Sequence, residues 1–142
     1  MGCGGAAPTA VRERAQYVSP GDVVRSYLAA FASGDADLIA SHVADDFEND
    51  HASALGESCT GRTEYIGRLP GFLESLPGLR YDVERLIVEA DQVAVAYRLV
   101  AMSDGHPVDL RGAMLLDVDD GLIVRRTDYW DSLTVLRQTG KA

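Results

Sequence analysis

The stretch FENDHASALGESCTG, Phe47 to Gly61, sets Asn49, Asp50 and His51 in a row between an aromatic residue and a glycine-punctuated run. A neutral imidazole titrates near physiological pH, so His51 could take a proton from a carbon acid or from water. On an extended segment Asn49 and His51 share one face, because successive side chains alternate. The same stretch reads equally well as a solvated turn, and its residues alone leave both readings open. The other two histidines carry less. His42 lies four residues after Leu38 on a second helix, where a packed or exposed ring is expected, and His106 follows SDG at a hairpin tip, a surface position. Three histidines on a helix, an extended segment and a turn do not converge on a metal, and none is expected. DVDDG at 117–121 opens like a calcium loop but does not continue as one, so it reads as a hairpin turn. Cys3 and Cys59 have no partner at metal-ligand spacing, which fits two free thiols in a reducing cytoplasm.

The elements that must position these residues fall into two halves. Residues 1–18 read as a flexible Gly/Ala-rich tail followed by VRERAQYV, a candidate helical turn. Its opening residues match neither a myristoylation pattern, which fails at Ala6, nor a secretory leader. SPGD then starts a helix: Ser19 caps, Pro20 suits the first position, and Val24, Tyr27, Leu28 and Phe31 recur at helical spacing. Gly34 stops it, and Asp35 caps a short second helix through Leu38, Ile39 and Val43. A third helix is expected over about 63–76, kinked at Pro70. From Leu79 the period changes to two. RYDVERLIVEA, QVAVAYRLVAM, HPVDLRGAMLLDV and LIVRRTDYWDS read as strands joined by Asp-Gly turns, which makes residues 19–142 one α+β domain ending in a long antiparallel meander. QVAVAYRLV is apolar on both faces, with Val93, Val95, Tyr97 and Leu99 on one and Ala94, Ala96 and Val100 on the other. A sheet wet on one side would alternate, so a homodimer is expected.

Composition limits the partners. A chain of 142 residues, 46% hydrophobic and 25% charged, is an ordinary globular protein large enough to bury a core. Its net charge of −9 has no basic stripe to offset it, which argues against nucleic acid and anionic membrane surfaces. No window has the length and apolarity of a transmembrane helix.

SYLAAFASGDADLIASHVADDF, then TGRTEYI, then DDGLIVRRTDYWDS, taken in order, resemble the nuclear transport factor 2-like superfamily and, more narrowly, its SnoaL-like branch, over residues 20–138. The resemblance implies a curved antiparallel sheet wrapped around helices, a cone with an apolar pocket at its open end. It does not give an activity, since the superfamily holds isomerases, cyclases, dehydratases, epoxide hydrolases and binders. Position by position, it puts His51 where ketosteroid isomerases carry their base and limonene epoxide hydrolases a water-holding Asn, so His51 points inward and Asp50 away. From the Arg–Asp–Asp trio of the epoxide hydrolases it implies Asp128 and Arg98, with Val100 in place of the third member. The acid that supports the oxyanion in the isomerases falls near Gly112.

The resulting expectation is a cofactor-free enzyme doing acid–base chemistry on an apolar metabolite such as a polyketide, steroid or terpenoid. His51 would be the base, with Arg98 and Asp128 supporting it. Asn49, Tyr27, Leu28, Phe31, Phe72, Met114 and Trp130 would line the pocket. Epoxide hydrolysis by activated water, or a non-catalytic ligand-binding or dimerisation module, are the alternatives.

Overall fold

The structure is a computed structural model and describes residues 18–142. The tail reading, the candidate turn in VRERAQYV and Cys3 lie outside the described residues. Helix α1 (Pro20–Ala30) starts as its sequence dictates, with the Ser19 hydroxyl accepting from the Asp22 amide at 3.1 Å. It runs into a short 3₁₀ turn, Phe31–Ser33, closed by Gly34 at φ 70°. Helix α2 (Ala36–Ala40) is capped by Asp35 and ends earlier than its spacing predicts: Val43 opens strand β1 (Val43–His51). His42 therefore sits between the two elements, not on the helix. Its Nδ1 lies 2.9 Å from the Leu38 carbonyl and its Nε2 2.8 Å from the Ser26 hydroxyl, which ties α2 to α1. Strand β2 (Cys59–Thr60) and helix α3 (Arg62–Ser75), with Pro70 inside it, follow.

Strands β3 (Arg80–Glu89), β4 (Gln92–Ser103), β5 (His106–Asp119) and β6 (Leu122–Trp130) form the predicted meander. Two of its turns hold Asp104–Gly105 and Asp120–Gly121 at positive φ, the condition of a type I′ hairpin, which Asp-Gly meets at least cost. The sheet has six strands in the order β2-β1-β6-β5-β4-β3. Two features depart from a plain meander. β1 joins β6 in parallel, and a helix α4 (Ser132–Gln138), capped by Asp131, follows β6.

The sheet curves around the helices and has two faces of different character. Its inner face carries Val93, Val95, Tyr97 and Leu99 of β4 against α1, and Tyr27, Leu28, Phe31, Met114 and Ile123 are among the fully enclosed side chains. A Cβ on Gly21 would stand 3.1 Å from Val88, so the start of α1 lies close on β3. Across the outer face the register aligns Ile87, Ala94 and Leu115 in one row and Ala96, Ala113 and Tyr129 in the next. Ile87, Leu115 and Tyr129 are exposed there.

Candidate active site

Strand alternation and register assemble the inner-face polar residues. On β6, Arg126, Asp128 and Trp130 point the same way, two residues apart. The parallel register with β1 sets Asn49 beside Arg126 and His51 beside Asp128. The antiparallel register with β5 sets Gly112 beside Trp130, and β4 puts Tyr97 beside Gly112.

Arg126 and Asp128 form a buried ion pair, each 3% exposed at the side chain, with Arg126 Nη2 donating to Asp128 Oδ2 at 2.8 Å. Tyrosines satisfy much of what remains. Tyr97 donates to Asp128 Oδ1 at 2.6 Å, while Arg126 donates to the Tyr27 hydroxyl at 2.8 Å and to that of Tyr81 at 3.3 Å. The Tyr27 hydroxyl is in turn hydrogen-bonded to that of Tyr65. Burial alone would lower the guanidinium's pKa. The oxygens of Tyr27, Tyr81 and Asp128 more than offset that and hold it well above its ordinary value, so Arg126 stays charged. Burial, with the Asp128 charge next, pushes the Tyr97 phenol up, which keeps it protonated and donating.

Two buried polar atoms, Asn49 Oδ1 and Arg126 Nε, make no hydrogen bond to any described residue. Leaving such an atom unmet costs about 1–3 kcal/mol, and both residues line the same cleft. That cleft, about 750 Å³, lies between α3 and the inner face; His51, Phe31, Phe72, Trp130 and Tyr65 are also in its walls. A second cavity of about 120 Å³ lies behind it, with Asp128, Tyr81, Tyr97, Leu99, Val108 and Leu110 in its lining.

His51 lies in the cleft wall, and its lone-pair nitrogen is engaged by a neighbour. The Trp130 indole N–H donates to its Nδ1 at 3.2 Å. An indole can only donate, so Nδ1 holds the lone pair and the proton of the neutral ring is on Nε2. The Asp128 carboxylate stands 3.8 Å from that same Nδ1, too far for a hydrogen bond. Burial first and the Arg126 charge second lower the imidazole pKa to about 4, against weaker opposition from Asp128 and Asp50. His51 is a neutral hydrogen-bond donor.

Arg98 is not in the site. It lies one residue off the inward position taken by Tyr97, so alternation turns it to the outer face, half exposed, where it grips Asp109 through two bonds of 2.7 and 2.5 Å. The guanidinium that pairs with Asp128 is Arg126 of the same strand. Leu28 and Met114 are core residues that line neither cavity, since both are sealed between α1 and the sheet. Tyr27 likewise keeps its ring in the core and takes part only through its hydroxyl. Asn49, Phe31, Phe72 and Trp130 do line the cleft. Sequence reasoning missed Arg126, Tyr97 and Tyr81. The signal for Arg126 was present in RRTDYW, where it stands two before Asp128 and so on the same face.

A six-stranded curved sheet packed against N-terminal helices is the nuclear transport factor 2-like fold. The chain belongs to the SnoaL-like domain family, whose model matches residues 24–126. Among proteins of curated function none matches the sequence. Solved structures that resemble it include a hypothetical protein of ketosteroid isomerase-like fold from Catenulispora acidiphila, in complex with trimethylamine (20% identity, 85% of this chain and 94% of that one, TM-score 0.78). An LEH-like epoxide hydrolase from M. tuberculosis aligns at 18% identity over 85% and 92% of the chains, TM-score 0.72. A candidate polyketide cyclase from Xanthomonas campestris aligns at 25% identity over 89% and 97%, TM-score 0.68.

Gly112 tests the pairing directly. A Cβ there would collide with the Tyr97 hydroxyl and stand 2.9 Å from the Tyr129 carbonyl. Gly112→Ala should expel Tyr97 from Asp128 and cost about 1–3 kcal/mol by overpacking, read by urea denaturation, with a shifted Tyr97 ring signal in NMR. A variant of wild-type stability would refute this packing. His51 gives a pH signature. Its folded pKa of about 4 lies below the ordinary 6.5, so between those values the unfolded chain binds more protons and stability rises with pH. The stabilisation is full above pH 6.5 and is lost as pH falls towards 4, by about 3 kcal/mol at most. Comparing wild type with His51→Gln isolates it; equal slopes for the two would contradict a neutral, buried ring.

Proposed function

We propose that this protein is a cofactor-free acid–base enzyme acting on an apolar, oxygen-bearing small molecule, with Asp128 as the base. The observation that carries the reading is a buried ion pair set between two cavities, Arg126 lining the larger and Asp128 the smaller, with Asn49 Oδ1 and Arg126 Nε buried without partners beside it. Buried charge and unmet polar atoms cost stability, and a site that does chemistry is where a fold retains them. Asp128 would take a proton from the carbon next to a carbonyl. The electron pair moves to the carbonyl oxygen, and the enolate is met by the Nε–H of Arg126 and the Nε2–H of His51. Donors already fixed in a dry pocket need no reorganisation as that charge develops. Returning the proton to another carbon gives isomerisation; attack of the enolate carbon on a second carbonyl of the same molecule, whose oxygen takes the broken π pair and then the proton back from Asp128, gives cyclisation.

Water activation for epoxide opening is the second reading. It is favoured by the free Asn49 Oδ1, an acceptor for a water proton, and by likeness to the M. tuberculosis protein named an epoxide hydrolase. A non-catalytic binder is the outcome if neither reaction is found. We place the protein in a reducing, cytoplasmic setting, supported by the buried free thiol of Cys59. Among the described residues no helix is long and apolar enough to cross a membrane. For the outer face we propose a homodimer, supported by the row of Ile87, Ala94 and Leu115 beside Tyr129.

Hydrogen–deuterium exchange at the α-carbon of methyl cyclohexyl ketone in D₂O, followed by NMR, tests the carbon-acid chemistry without the natural substrate. Wild-type protein should accelerate exchange over buffer, Asp128→Asn should lose about 10²–10⁴-fold of that, and Arg98→Ala should lose nothing. Should exchange be absent while styrene oxide is hydrolysed in an Asp128-dependent way, the second reading replaces the first; inertness towards both leaves a binder. Sedimentation equilibrium on wild type and Leu115→Glu reads the dimer. A dimer that the charge converts to monomer is expected, whereas a monomeric wild type would end the proposal.

A further inference from the structure

The two cavities share a wall. His51, Phe72 and Trp130 line both, and the His51–Trp130 hydrogen bond stands at the boundary between them. Their characters differ. The larger one carries the unmet Arg126 Nε and Asn49 Oδ1, with Glu57 and Arg68 of opposite charge also in its wall. The smaller is walled by Leu99, Val108, Leu110, Leu76 and Val135, with the Asp128 carboxylate on one side. Asp128 thus lines the apolar chamber, while Arg126, whose buried Nε is unmet, lines the polar one. A molecule that met both groups would have to pass the His51–Trp130 boundary.

Charge narrows the ligand. The Arg126 and Asp128 charges cancel, the buried His51 ring is neutral, and Arg68 at the wall is paired with Glu64, which leaves the Glu57 charge there and no unmatched cation to attract an anion. An anionic ligand on Arg126 would compete with Asp128 for a guanidinium that is already matched, and its own desolvation would be uncompensated. An uncharged acceptor, such as a ketone or ester oxygen, satisfies the Arg126 Nε–H without that penalty. Size narrows it further, since an apolar cavity of about 150 Å³ is known to hold one benzene ring.

We propose that the two cavities are arms of one binding site for an uncharged carbonyl compound. Its oxygen lies in the larger arm against Arg126, and its compact hydrocarbon end, about six carbons at most, fills the smaller arm beside Asp128. The smaller arm is a specificity pocket: it admits one ring or one branched chain and excludes fused ring systems. The proposal deepens the acid–base reading and rests on it for the role of Asp128, but the occupancy of the two arms is a matter of binding alone.

The experiment is a methyl-labelled NMR titration with methyl cyclohexyl ketone, cyclohexanecarboxylate and methyl adamantyl ketone. Methyl cyclohexyl ketone should shift the methyls of Leu99, Val108 and Leu110 together with the Trp130 indole N–H. The carboxylate and the bulkier adamantyl ketone should each bind at least about tenfold more weakly. Leu110→Phe, which fills the small arm, should weaken the cyclohexyl ketone by a similar factor. Val135→Ala, which enlarges it from helix α4 without entering the sheet, should narrow the gap between the two ketones, so the proposal stays testable if Leu110→Phe does not fold. Shifts confined to Leu55 and Leu69 of the larger arm, equal binding of the carboxylate, or no binding of any probe would each overturn it. Because the readout is binding, two-arm occupancy in a protein that exchanges no α-protons would remove the catalytic reading and leave this one standing.

Discussion

The buried pair of Arg126 and Asp128 is the constraint to which the rest of the pocket answers. Taking two opposite charges out of water costs several kcal/mol per ion unless their remaining donors and acceptors are met. Three elements meet most of them, Tyr27 coming from α1, Tyr81 from β3 and Tyr97 from β4, around a pair that lies on β6. A hydroxyl can reach the pair from so many directions only if the sheet curls and α1 lies along its concave face. The ion pair and the curvature therefore require each other, and removing either charge would leave the other buried without its match.

The same pair determines what its neighbours can do. Because β1 runs parallel to β6, Asn49 falls beside the cation and His51 beside the carboxylate. An imidazole next to a carboxylate would ordinarily gain a proton. Two features prevent it here: the Trp130 N–H occupies Nδ1, and burial together with Arg126 disfavours the imidazolium. With the His51 ring neutral, the Asp128 carboxylate and the Arg126 guanidinium are the charged groups of the buried pair, and they leave it close to neutral overall.

Much of the scaffold could be read from sequence because its signals are local. Ser19, Asp35 and the Asp-Gly turns act within a few residues of themselves, and their caps and hairpins stand where the sequence puts them. Strand β1 was harder to see, since VADDFENDH is too polar to look like a strand. Its ladder is completed by β6, distant in sequence, and its Glu48 and Asp50 face outward onto Arg125. The site was half legible. Asp128, His51 and Asn49 line the cavities, in the places the SnoaL-like pattern implies, whereas Arg98 misses the inner face by a single residue. A shift of one along a strand exchanges the two faces of a sheet, so a resemblance aligned to within one residue locates the strand without locating the side chain. Alternation within RRTDYW was the safer guide, because it links Arg126 to Asp128 with no appeal to another protein.

Gly112 shows how a missing residue can be made good by its neighbour. The resemblance calls for an acid near this position, and a glycine there looks like a lost function. In three dimensions the absent side chain is the passage through which Tyr97, from the adjacent strand, crosses to Asp128. Burial and the nearby carboxylate keep that phenol protonated, so it donates from β4 to the carboxylate on β6 across the gap that β5 leaves. The donor in turn anchors one oxygen of Asp128, while Arg126 holds the other. Position 112 must then stay without a side chain for as long as position 97 is tyrosine, a dependence between two strands that no reading of either one alone could reveal.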